Sequence, residues 1–199
     1  MTLLFQLKDA TSDSSCRPAC QSDAQALADL IVLASEGLCL DVWANLAGPG
    51  ESPIEVGRRR AARDEGAFSW RNAIVVDEGR GPVAALVGYP LPDQPEPIPA
   101  DMPSLFVPLQ ELENEACGTW YVNVLATFPE HRGQGHGSRL LRAAELAMRR
   151  AGRTSLSLIA AERNEGALRL YRRHGFVVRA SRPAAAPHQG HWLLMTRAA

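Results

Sequence analysis

Apolar positions recur along this chain at two periods, and the switches between them mark out the elements. A short strand-like run covers 16–20. Ala26, Leu27, Leu30, Ile31 and Ala34 then repeat at helical spacing, which predicts a helix from a cap at Ser22 or Asp23 to about Glu36, with Gly37 after it. Helical stretches follow over 41–46 and 54–65, parted by Gly48-Pro49-Gly50. Runs over 69–77 and 82–89 read as a strand hairpin around Glu78-Gly79-Arg80-Gly81. Residues 90–108 are proline-rich and read as a loop, too stiff and polar for a regular element. A strand over 120–127, a helix over 138–151, a strand over 154–160 and a helix from Asn164 to Gly175 come next. Two strands over 176–182 and 191–197 close the chain. This order predicts an α/β (α+β) fold, with a mixed central sheet of six to seven strands flanked by helices on both faces.

The strand over 120–127 and the helix over 138–151 are joined by Arg132-Gly133-Gln134-Gly135-His136-Gly137. Glycines at a strand-to-helix turn let the backbone take unusual dihedrals and approach a ligand closely. The first N–H groups of the helix lack helical partners, and the helix dipole adds positive charge there. Such a turn suits a phosphate or pyrophosphate. It is not a dinucleotide fingerprint, because the glycines are spaced Gly-x-Gly-x-Gly. Nor is it a nucleotide P-loop, because the one lysine is Lys8, far from the turn. That removes a nucleotide phosphotransferase.

Arg-x-x-Gly-x-Gly after a strand ending Leu125-Ala126-Thr127-Phe128-Pro129 resembles the acetyl-CoA signature of the GNAT superfamily, the CoA-dependent N-acyltransferases. A second segment strengthens the resemblance. Residues 164–176 are similar to that family's Asn-x-x-Ala-x-x-Leu-Tyr-x-x-x-Gly-Phe, about thirty residues further on with a strand-like run between. Asn164 suits the helix cap and Gly175 the left-handed stop. Ala167, Leu170, Tyr171 and His174 share a face by their spacing.

The resemblance implies acetyl-CoA as cosubstrate and acetyl transfer to a primary amine of a small molecule by direct attack through a tetrahedral intermediate. It implies that the thioester arm pairs with backbone near Leu125, Ala126 and Thr127, with the Thr127 N–H as oxyanion donor. The pyrophosphate would meet backbone N–H groups of Arg132, Gly133, Gln134, Gly135, His136, Gly137 and Ser138. Asn164 would bind the pantetheine arm or a water, and Tyr171 would serve as general acid. Each residue also has a plainer reading. Tyr171 could be core, Asn164 only a cap, and Arg132 a loop-positioning residue. His136 and His131 are expected at the surface, and His174 packed on the sheet. Two other functions stay open: acetylation of a protein N-terminus or lysine, and a catalytically silent acyl-CoA-binding regulatory module.

The base is unassigned. Many relatives carry a glutamate where this chain has Tyr121, which is no base near neutral pH. Glu111, Glu113 and Glu115 lie just upstream; a solvated helix face is the favoured reading, with reach to the site through water as the alternative. Trp43, Trp70, Trp120 and Tyr89 are candidates for an acceptor pocket or for the core. Asp41, Glu51 and Glu55 would attract a cationic amine or simply lie at the surface.

Composition adds limits. At 199 residues, 46% apolar and 22% charged, the chain is expected to form one N-acetyltransferase domain over 1–199, with 1–12 as a flexible N-terminus. A net charge of -1 points to neither nucleic acid nor membrane, although arginines crowd the motif half. Cys16, Cys20, Cys39 and Cys117 form no Cys-x-x-Cys pair, and His188 and His191 lack other ligands nearby, so no metal is expected. Free thiols, no signal-like core at Leu3-Leu4-Phe5 and no membrane-length run suggest a cytoplasmic protein. The wealth of arginine and alanine beside one lysine suggests a bacterial source. A homodimer through the C-terminal strands is compatible with the family.

Overall fold

The computed structural model describes residues 15–185 and 189–198; the expectations for 1–12 and for His188 lie outside them. Seven strands form one mixed sheet in the order β1-β2-β3-β4-β5-β7-β6. They are β1 (Cys16–Pro18), β2 (Ala73–Asp77), β3 (Pro82–Pro90), β4 (Trp120–Thr127), β5 (Ser155–Ala161), β6 (Val177–Pro183) and β7 (His191–Ala198). Six helices accompany them among the described residues: α1 (Ala24–Ala34), α2 (Leu38–Ala44), α3 (Pro53–Ala61), α4 (Val107–Asn114), α5 (His136–Arg150) and α6 (Glu165–Arg173). The described residues divide into two compact units, one running up to Gly88 and taking in Val124–Ala147, the other made of Tyr89–Asn123 and the described residues from Met148 on.

In the first unit, β1 and β2 pair antiparallel from Cys16↔Val76 to Pro18↔Ile74, and β2 and β3 continue the meander. Side chains alternate across the strands. Ala73 and Val75, with Ala85 and Val87, join the buried Leu27, Ala28, Leu30 and Ile31 of α1 in one core. Asp23 does not cap α1 with its side chain. Its carboxylate instead binds the Cys20 N–H at 2.8 Å and pairs with Arg17 at 2.7 Å, and Arg17 also reaches Asp77 at 2.7 Å. The triad ties β1, β2 and the start of α1 together, and both carboxyls are held below their usual range, with the Arg17 hydrogen bond acting on each. Helix α3 opens with a capping box from Ser52 and Glu55, with Pro53 in its first turn. Gly57 on α3 lies flat against Trp43, and a Cβ there would fall 2.2 Å from the ring. Trp43 is 1% exposed, so it is core rather than pocket wall.

In the second unit, β4 and β5 run parallel, with Trp120↔Leu156, Tyr121↔Ser157 and Val122↔Leu158 in register. A buried hydrogen bond of 2.6 Å between the Thr119 and Ser157 hydroxyls pins the start of this pair. β7 lies antiparallel to both β5 and β6. β6 ends the strand order, with Val177 and Val178 exposed.

Helix α4 corrects the expected run of three consecutive strands, because it stands between β3 and β4. The prolines hid it. Pro108 falls in its first turn, where the missing N–H would have had no helical partner. Leu109, Leu112 and Ala116 then repeat at helical spacing into a small core with Leu91, Tyr121 and Trp192. The Asn114 amide clasps both the N–H and the carbonyl of Glu96, at 3.0 and 2.8 Å, and straps the proline-rich loop to α4. Arg182 on β6 pairs with Glu111 at 2.7 Å and also with Glu115.

Candidate active site

In the first unit, β4 ends at Thr127 and a short turn over Pro129–His131 leads into the glycines. The Arg132 guanidinium donates to the Thr127 carbonyl at 3.3 Å, which closes the turn back on the strand. Gly133 and Gly135 hold φ of 78° and 83°, a left-handed backbone that other residues adopt only with strain. No atom lies within 4 Å of where a Cβ would project from either one. The first bond of helical type is Arg139 N–H to the Gly135 carbonyl at 3.1 Å, so the turn presents the head of a fifteen-residue helix. Residues 132–135 are exposed. An open, left-handed glycine turn at a helix head fits a phosphate-bearing ligand: backbone can approach it closely, and the dipole favours its charge. Of the backbone expected along a thioester arm, Ala126 is buried while Leu125 and Thr127 are half-buried.

His136 departs from expectation. It was expected at the surface, yet it is 2% exposed, and neither ring nitrogen has a hydrogen-bond partner. It occupies an inward position of α5, and burial lowers its pKa. Its Nε2 lies 3.7 Å from Glu78 Oε1 on the β2–β3 turn, and His131 Nδ1 lies 3.7 Å from Glu78 Oε2. Ligand atoms of Glu78, His131 and His136 all fall within 4.8 Å of one another. The two Glu78 contacts, at 3.7 Å, are longer than hydrogen bonds. As it stands, the trio pegs the glycine turn to the hairpin.

In the second unit, Asn164 caps α6 by accepting the Ala167 N–H at 3.1 Å, and Gly175 takes φ 81° after the last turn. Tyr171 is 8% exposed and packs on Phe176 with ring centroids 5.9 Å apart. Leu168, not Ala167 or Leu170, is the other buried residue of α6. Burial pushes the Tyr171 hydroxyl up to about 12, so it stays protonated at neutral pH.

Around Tyr121 the same unit gathers groups that the sequence scattered. Tyr121 is 4% exposed with its hydroxyl close enough to the Glu113 carboxyl to bear on it, and Tyr89 meets it edge-on at 5.9 Å. Burial raises the Glu113 carboxyl to about 7, although the Tyr121 hydroxyl pulls it down. Burial also holds the Tyr121 and Tyr89 phenols above their usual range. Tyr171 lies near enough that its ionisation would further disfavour that of Tyr121. The favoured reading of the three glutamates as a solvated face holds for Glu111 and Glu115 and fails for Glu113. Glu111 and Glu115 share one side of α4 and pair with Arg182, while Glu113 flanks the apolar side beside Leu109 and Leu112. The 109, 112, 116 spacing was the signal that could have oriented the helix.

The other candidates are structural. Trp120 is 2% exposed, Trp70 lies beneath the Arg71 guanidinium at 4.4 Å, Glu51 pairs with Arg59, and Glu55 completes a capping box.

A family model described as the acetyltransferase (GNAT) family matches residues 43–176, which hold both the glycine turn and the α6 segment. The chain belongs to the GNAT family of acetyltransferases. This membership indicates acyltransferase activity. Solved GNAT structures share its fold. One, described as an acetyltransferase, is 22% identical with a TM-score of 0.66 and covers 93% of this chain and 99% of its own. An N-acetyltransferase from Staphylococcus aureus Mu50 is 15% identical, with a TM-score of 0.61 and coverage of 92% and 99%. A GNAT family acetyltransferase from Elizabethkingia anophelis, solved with acetyl-CoA bound, is 16% identical, with a TM-score of 0.53 and coverage of 86% and 89%. No curated protein sequence matches the chain. Among the described residues, no helix is long and apolar enough to cross a membrane.

Proposed function

We propose that this GNAT protein is an acetyl-CoA-dependent N-acetyltransferase acting on a primary amine of a small molecule, with residues 1–199 working as one domain. The open left-handed glycine turn at the head of α5 carries the reading, because it offers backbone rather than side chains to a diphosphate. Backbone N–H groups from Arg132, Gly133, Gln134, Gly135, His136, Gly137 and Ser138 would bind that diphosphate. Leu125, Ala126 and Thr127 would align the thioester arm, with the Thr127 N–H donating to the oxyanion. Asn164 would hold the arm while capping α6. Acetyl-CoA, when bound, supplies an activated acyl thioester. Tyr171 would give its proton to the departing sulfur, a role supported by a hydroxyl that burial keeps protonated. A small cationic amine suits the carboxylates Glu113 and Glu96 near Tyr89 and Tyr121.

The four cysteines are free thiols, in keeping with work in the cytoplasm. A homodimer through the C-terminal strands would use the β6 edge, where Val177 and Val178 are exposed. Sedimentation of the full chain tests it. The deciding experiment for the activity is thermal unfolding with and without acetyl-CoA, coupled to thiol release over a panel of amines. A ligand of the native state raises its apparent stability. Stabilisation with release on one amine class supports the enzyme. Stabilisation without release on any amine favours a silent binding module, and no stabilisation overturns the reading of the glycine turn.

A further inference from the structure

Three residues of the second unit, from three successive elements, form a polar island in an apolar setting. Tyr89 comes from β3, Glu113 from α4 and Tyr121 from β4, among Leu91, Leu109, Leu112, Ile159 and Trp192. The island holds acids and no base. Glu113 is half-buried, lies near the Tyr121 hydroxyl, and feels a second carboxylate, Glu96, from the strapped loop. It pairs with no arginine or lysine among the described residues, whereas Glu111 and Glu115 on the same helix share Arg182. A carboxylate withdrawn from water without a cation is costly. The fold nevertheless anchors it, because Leu112 beside it is fully buried and Asn114 is fixed to Glu96. Such a carboxyl either keeps its proton or meets a cation from outside. The half-buried carboxyl lies where a cation could reach it beside the half-buried Tyr89 ring.

We propose that Glu113 is the general base of the acetyl transfer, receiving a proton directly from the ammonium group of the acceptor. The inference rests on the acetyltransferase reading above. The ammonium gives one proton to the Glu113 carboxylate and becomes a free amine. The amine's lone pair forms the C–N bond at the thioester carbonyl, and the tetrahedral intermediate collapses with cleavage of the C–S bond. The nitrogen's second proton balances the one that Tyr171 gives to the thiolate. Glu113 then returns its proton to solvent, so each turnover yields amide, free thiol and one proton. Tyr121 is a positioning residue. Its hydroxyl lies near the carboxylate and favours its charged form. The charged and titratable groups facing Glu113 are Tyr121 from β4, Tyr89 from β3 and Glu96 from the loop, with Tyr171 of α6 acting on Tyr121.

The test uses the full chain, acetyl-CoA and a panel of primary alkylamines and diamines. For the wild type, kcat/KM should rise with pH along a limb near 7. Glu113→Gln should lose about a hundredfold or more at pH 8 and lose that limb. Its acetyl-CoA affinity should stay within twofold, which also reports that it folds. Tyr121→Phe should move the limb to higher pH, because the carboxylate loses a donor; a purely structural role would leave the limb in place. Glu111→Gln should stay near the wild-type rate. Apart from turnover, thermal stability should fall from pH 5 to 8 more steeply in the wild type than in Glu113→Gln. The proposal is overturned by Glu113→Gln keeping both the limb and a rate within threefold of an active wild type. A wild type that binds acetyl-CoA but acetylates nothing on the panel overturns the acetyltransferase reading itself, and the base with it.

Discussion

The glycine turn over 132–138 and the tyrosine–glutamate island around Glu113 are built from opposite materials. The turn works through backbone. Its glycines sit in open space, its residues are exposed, and its charge preference comes from peptide dipoles at the head of α5. The island works through side chains. Its phenols and carboxyl are withdrawn from water, and burial sets their protonation. Backbone recognition is written in consecutive residues and needs only that the chain bend. Side-chain chemistry is assembled from distant segments and depends on packing. The turn should therefore yield mostly to backbone strain, and the island to a change of charge or a lost hydroxyl.

The largest expected effect tests whether burial governs the island. Glu113 titrates at about 7 in the folded protein against an ordinary 4.5, so the folded state holds the extra proton between those values. A raised carboxyl makes stability highest below about 4.5 and lowers it as pH rises through 7. Glu113→Gln should remove this slope, gaining up to about 3 kcal/mol over the wild type at pH 8 and nothing at pH 4. Chemical denaturation across pH measures it, and parallel curves for the two proteins would sink the idea. Tyr171→Phe should cut turnover about a hundredfold, near 2.7 kcal/mol, with acetyl-CoA affinity unchanged. An equal loss in affinity would make Tyr171 a binding residue.

On the turn, Gly135→Ala meets no atom, so its penalty is conformational, about 1–2 kcal/mol. Acetyl-CoA affinity should fall roughly tenfold with kcat little changed, as calorimetry and saturation kinetics would show. Asn164→Ala should destabilise by about 1 kcal/mol through the lost cap, and Asn164→Ser should restore stability. If Ser does not also restore acetyl-CoA affinity, Asn164 has a second role. Smallest is His136→Leu. The buried ring has two unpartnered nitrogens, so an apolar side chain should raise stability by about 1 kcal/mol, a shift of a few degrees in Tm. A lower Tm would show that the Glu78 contact outweighs the desolvation.

The same division explains what could be read in advance. β4 was legible to the residue, as were the α6 cap and the Gly175 stop, because each is local. The start and inner side of helix α4 were not, because Pro108 reads as loop unless it is recognised as a helix start, and because three glutamates two apart look like one solvated face. Tyr121 was noticed as a position lacking a carboxylate. Glu113, a carboxylate near it, comes from a preceding helix and became visible only once Leu109, Leu112 and Ala116 fixed that helix's inner side. His136 reads as part of the glycine turn, where 132–135 are indeed exposed, but α5 turns it inward one residue later, which only packing shows.

The contact of Gly57 with Trp43 has an evolutionary consequence. No side chain larger than hydrogen fits at 57 while the indole stays, so neither position can drift alone. In diverging relatives the two should change as a pair, with alanine or larger at 57 accompanied by a smaller residue at 43. A homologue that carried both bulky residues would need its α2 and α3 set further apart, and the break in that pairing would mark where the lineage rebuilt this corner.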